Sequence, residues 1–158
     1  MRELILIGAS WLHLVATVIW IGGIFFILFI AIPSAKKILG DDAGKLMGEI
    51  SNRFTPLANY SIYLILITGI VLSLLHNNYI GVIVFGYNWT SVLLIKHILV
   101  VAMTIIHFYR GLILTPKIGR TTSTVEKGLL QKLSMDLVKA NLALGMLILL
   151  FSGITSTF

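Results

Sequence analysis

Four long apolar runs limit what this chain can fold into. They span Leu4 to Ile32, where Pro33 ends the run, then about Pro56 to Leu75, about Thr90 to Leu114, and about Ala140 to Thr157. A helical bilayer crossing needs roughly 20 apolar residues, and each run supplies about that many. The runs are continuous and do not alternate with polar residues, so they read as helices and not as barrel strands. Only 11% of the residues are charged and 58% are hydrophobic, against about 25% charged in a soluble domain. Lipid is the solvent that suits such a surface. The expected fold is all-α, a four-helix transmembrane bundle forming one domain over 1–158, with helices at about 4–32, 56–75, 90–114 and 126–157. The first run is too long for the apolar core of a cleaved leader, so none is expected.

The basic residues set the orientation. The polar stretch 34–53 holds Lys36, Lys37, Lys45 and Arg53, and 115–132 holds Lys117, Arg120, Lys127 and Lys132, with Arg110 at its border. The opposite side has only Arg2. The positive-inside rule places loops 34–53 and 115–132 in the cytoplasm and both termini outside, in a multi-pass cell membrane protein. The net charge of +6 then belongs to topology and anionic lipid, and no nucleic-acid partner is expected. The connection His76 to Trp89 carries Tyr79, Tyr87 and Trp89, which suit an interface, and an apolar stretch Ile80 to Phe85 that dips toward the lipid boundary. The last helix is expected to begin near Glu126 in water and to enter lipid around Lys139, with Lys132 and Asp136 paired on its exposed face. Cysteine is absent, which excludes disulfides, thiolate metal sites and iron–sulfur clusters.

Ionisable groups inside membrane spans are costly and are the natural functional candidates. Here they are His13, Lys96, His97, His107 and Lys139. On the first helix His13, Thr17, Trp20 and Ile24 share a face, while Gly22 and Gly23 lie elsewhere and permit close helix approach. On the third helix Lys96, Met103 and His107 fall on one stripe, and His97 points about 80° away from His107. An imidazole facing a bundle interior is a common axial ligand of a membrane b-type haem. His13 and His97 lie at similar depth, roughly 13 Å from the outer ends of their helices, and His107 lies about 15 Å deeper. Depth therefore favours His13 with His97. Each residue also has an ordinary reading: a histidine bonded to a neighbouring hydroxyl or carbonyl, His76 as a solvated cap, Met103 as packing, and Lys96 and Lys139 snorkelling. Thr68-Gly69 and Ser152-Gly153 read as close-packing spots.

The first-helix stretch His13-Leu-Val-Ala-Thr-Val-Ile-Trp20-Ile-Gly-Gly resembles the opening of the copper resistance D (CopD-like) membrane domain. Arg53-Phe54-Thr55-Pro56-Leu57-Ala58, followed by Thr68-Gly69, resembles the second helix of that domain. The His-to-Trp spacing of the first helix, together with Lys96 and His107 eleven residues apart, also resembles the HemJ-type protoporphyrinogen oxidase family. The resemblance covers nearly the whole chain. The HemJ-type likeness implies b-type haem and oxidation chemistry with His13 and His107 as ligands; the CopD likeness implies copper uptake. The chain has no Met-x-x-Met and no cysteine pair, the soft sets that Cu(I) favours.

The leading expectation is a haem b-binding membrane protein for electron transfer or oxidoreduction. His13 is one axial ligand and His107 or His97 the other, with Lys96 as counter-charge to a carboxylate and Trp20 packed on the ring. The alternatives are a copper transport or resistance protein that uses the same histidines as transient metal ligands, and an accessory subunit of a larger membrane complex. The expected partners are the bilayer, a second copy of the chain, or other membrane subunits.

Overall fold

In the computed structural model residues 1–75 and 88–155 are described, and all regular structure among them is helical. His76, Tyr79, the stretch 80–85 and Tyr87 lie outside the described residues, as does the side chain of Trp89. Three continuous helical segments are long and apolar enough to cross a membrane: Arg2–Leu75, Ser91–Arg120 and Thr124–Ile154. Four separate helices were expected, and the difference has a local cause. The stretch 34–53, expected as a polar loop, is helical except around one turn. Charge there marks contact with water, while Lys45, Leu46, Met47 and Glu49 are good helix formers.

The chain divides into two compact units, Met1–Tyr79 and Ile80–Phe158. The first begins with α1 (Arg2–Thr17), a π turn at Val18–Gly22, α2 (Gly23–Phe26), a second π turn at Ile27–Ala31 and α3 (Ile32–Leu39). A one-turn 3₁₀ piece, Gly40–Asp42, leads into α4 (Ala43–Leu75). Gly40 adopts φ 52° and ψ −117°, a conformation open to glycine and strained for other residues. The chain reverses there, and α1 and α3 pack against α4. Lys45 pairs with Asp42 at 2.7 Å, and Arg53 with Glu49 at 2.8 Å. These surface pairs, each worth about 0.3–0.5 kcal/mol, support the helical start of α4. Pro56 was expected in a first helical turn and instead lies inside α4, so the Asn52 carbonyl has no N–H four residues on.

The register of this hairpin is fixed at several points. Arg2 Nη2 donates to the Leu75 carbonyl at 2.5 Å. Thr68 meets His13, and the Phe54 ring sits where a Cβ on Gly23 would be. Gly22 faces open space among the described residues. The close approach expected of the Gly-Gly pair therefore belongs to Gly23.

The second unit comprises α5 (Asn88–Tyr109), a π turn at Arg110–Leu114, α6 (Thr115–Arg120) and α7 (Thr124–Thr155), with α5 packed along α7. α7 starts two residues before the expected Glu126. The Glu126 N–H donates to Ser123 Oγ at 3.4 Å, and Ser-x-x-Glu is a capping-box signature. Lys117 reaches Glu126 at 3.9 Å across the turn. Asp136 pairs with Lys139 at 3.6 Å and not with Lys132 as expected, three residues being as good a helical spacing as four. A Cβ on Gly153 would meet nothing within 4 Å among the described residues.

The two units follow one internal plan. In each, a π turn is followed two residues later by a proline, Pro33 after Ile27–Ala31 and Pro116 after Arg110–Leu114. The widened turn relieves the clash between a proline ring and the carbonyl four residues before it. Buried positions match at the same separation of 83 residues, pairing Trp20 with Met103, Ile24 with His107, Ala58 with Asn141 and Ile65 with Ile148.

Candidate functional site

In the first unit His13 is held across the hairpin. Its Nδ1 lies 2.7 Å from Thr68 Oγ1, and Thr68 Oγ1 lies 2.6 Å from the Leu64 carbonyl. The carbonyl accepts only, so it takes the single hydroxyl hydrogen of Thr68. His13 Nδ1–H then donates to the hydroxyl oxygen, and the lone pair of the neutral ring resides on Nε2. Thr17 Oγ1 donates to the His13 carbonyl at 2.7 Å and stiffens the turn that carries the ring. Gly69 completes the seat: a Cβ there would lie 3.6 Å from His13 Cε1. The stretch Thr68-Gly69 thus acts as a cradle for an imidazole.

Trp20 is 2% exposed and enclosed by protein. It was expected to pack on a haem ring, and it is one of the largest fully buried side chains of the described residues.

In the second unit Lys96, His97 and His107 share α5, and Lys139 lies on α7. His97 Nδ1 lies 2.7 Å from the carbonyl of Leu93, one turn back on its own helix. A carbonyl accepts, so Nδ1–H donates and Nε2 again carries the lone pair. His107 is buried with its ring edge-on to Phe108, centroids 5.4 Å apart. The two histidines are ten residues apart on one helix, a rise of about 15 Å. Lys96 is half-buried, and Lys139 is exposed and paired with Asp136. Among the described residues no group of three or more His, Cys, Asp or Glu side chains could hold a metal ion. Any ligand set must draw on other donor types or on fewer imidazoles.

Two buried oxygens escaped the sequence reading. Asn141 Oδ1, on α7, and Thr104 Oγ1, on α5, are buried with no hydrogen-bond partner among the described residues. Thr17, Thr55, Ser61, Thr68 and Ser73 all bond a carbonyl four residues back, and Thr104 does not. The signal for Asn141 was an amide side chain in an apolar run, which an intramembrane polar residue should always raise.

A family model described as Copper resistance protein D matches residues 48–155. The match takes in α4 from residue 48 on and the described second unit, hence Thr68, Lys96, His97, Met103, His107 and Asn141, and does not reach His13. No curated protein and no solved structure matches the chain.

Proposed function

Since this chain belongs to the copper resistance protein D family, we propose that it handles copper ions within a lipid bilayer, with histidine side chains as transient ligands. The supporting observation is the imidazole state. Bonds to Thr68 and Leu93 fix the Nδ1–H of His13 and His97 and leave Nε2 as the donor atom of each ring. An outer-shell partner that fixes ring and tautomer in this way is the usual companion of a metal-bound histidine. Imidazole suits copper, and Met103 adds a soft thioether on the stripe of His107. The family description carries no support for haem b or electron transfer, and copper is the better reading.

The proposed topology follows from the turn at Gly40. A straight helix of 74 residues would be about 110 Å long, against a hydrocarbon core of about 30 Å. The reversal divides it into two limbs, so the chain makes four crossings. The basic residues around Lys36, Lys37, Lys117 and Arg120 place both hairpin turns in the cytoplasm and the termini outside.

The test uses the full chain in nanodiscs. Copper is supplied as Cu(I) under a reductant, and retention is read against a chromophoric chelator, with a visible spectrum of the same sample. Bound copper that falls about tenfold or more in His13→Gln or His97→Gln supports the reading. A folded protein that holds no copper, or one that shows a Soret band, defeats it.

A further inference from the structure

Where Gly23 and Phe54 meet in the first unit, one turn back along the first limb lies Trp20 and one turn on along α4 lies Ala58, both buried. At the corresponding place in the second unit stand Met103 on α5 and Asn141 on α7, 1% and 4% exposed. At the spacing of 83 residues, Trp20 and Ala58 are matched by a thioether and a carboxamide side chain, carried on two helices that pack together. A polar amide at such a position is unfavourable unless its oxygen is satisfied, and Asn141 Oδ1 has no partner among the described residues. His107, also buried, follows Met103 by one turn on the same stripe of α5. Thr104 has the other unpartnered oxygen, but it points about 100° round the helix from Met103 and does not belong to the set.

We propose that Met103, His107 and Asn141 form a Cu(I) station between α5 and α7, an inference that rests on the copper reading above. The three donors are a thioether sulfur, an imidazole nitrogen and an amide oxygen. Sulfur and imidazole are the ligands that monovalent copper prefers. The amide oxygen supplies the negative end of a dipole toward the cation and gains the partner it lacks. All three ligands are neutral, so the ion enters as a cation and leaves without any proton or anion exchange. A weak, neutral site is what passage requires, since an ion held too tightly does not leave.

The full chain in nanodiscs, loaded with Cu(I) under a reductant, is examined by copper K-edge absorption and by chelator competition. The wild type should show a sulfur neighbour at copper. Met103→Leu conserves volume, and it should remove that neighbour and weaken retention about tenfold. Asn141→Leu should keep the sulfur neighbour while also weakening retention. If copper binds the wild type with nitrogen neighbours only, or if both variants retain it as the wild type does, the station is refuted while the copper reading stands. If the folded wild type binds no copper, both are refuted. Circular dichroism of each variant confirms that the helices are intact.

Discussion

His13 and Thr68, 55 residues apart in sequence, lie with ring nitrogen and hydroxyl oxygen 2.7 Å apart. The pair joins α1 to α4 and fixes the protonation pattern of the one imidazole in the first limb. Replacing Thr68 by valine keeps the shape and removes the acceptor. The hydrogen bond should contribute about 0.6 kcal/mol to stability, with an upper value near 1.7. On the copper reading the larger effect is on the metal, about a tenfold loss of affinity as the ring loses its orientation. Denaturant unfolding followed by circular dichroism reads the first effect, and chelator competition the second. Unchanged affinity in a folded Thr68→Val protein would remove His13 from the ligand set.

Gly23 and Gly22 should respond differently to the same change. A methyl group at Gly23 overlaps the Phe54 ring, whereas at Gly22 it meets nothing within 4 Å among the described residues. Gly23→Ala should destabilise the protein by about 1–3 kcal/mol through overpacking. Gly22→Ala should be neutral or slightly stabilising, since alanine is the better helix former. Unfolding midpoints of the two variants decide this, and Gly23→Ala combined with Phe54→Ala should recover part of the loss.

Gly40 carries the reversal between α3 and α4 at φ 52°. Gly40→Ala should lower stability by about 1–3 kcal/mol, and Gly44→Ala, in open helical space, should not. Cysteine-accessibility mapping of Asp41 should find that turn on the same side of the membrane as Thr122. Opposite sides would overturn the four-crossing topology.

Ser123 caps α7 through the Glu126 N–H. Ser123→Ala should cost about 1 kcal/mol, and Ser123→Asp should restore it. Hydrogen exchange at Val125 to Lys127 would locate the effect in the first turn of the helix.

That the chain is helical and apolar enough to cross a membrane was legible, because apolar length is a direct physical demand of the bilayer; the number of segments was not, since three continuous helical segments stand where four were expected. The charges of 34–53 signal water and not a loop, and helices extend into water readily when Glu49 and Arg53 pair. The partner of His13 was only half visible. Thr68-Gly69 stood out as a small-residue spot, but nothing local ties it to a ring 55 residues away. Asn141 was passed over because an amide near the expected membrane boundary looks harmless until its burial is known. The common plan of the two units was hidden for a related reason: it survives in prolines, π turns and burial, while the residue types differ, Met103 corresponding to Trp20 and Asn141 to Ala58.

The π turn at Val18–Gly22 has no counterpart in α5. Such a turn accommodates one extra residue in the helix. Below it the two units correspond at a spacing of 83 residues, as their prolines do. Above it the spacing becomes 84, and the residue equivalent to His13 changes from Lys96 to His97. Each half of the molecule therefore presents an imidazole at one and the same station of its first limb. Thr68 bonds His13 in the first unit, and the residue 83 positions after Thr68 is Phe151. His97 bonds the carbonyl of Leu93 on its own helix. A single inserted residue thus makes two equivalent histidines look unrelated when the halves are compared letter by letter.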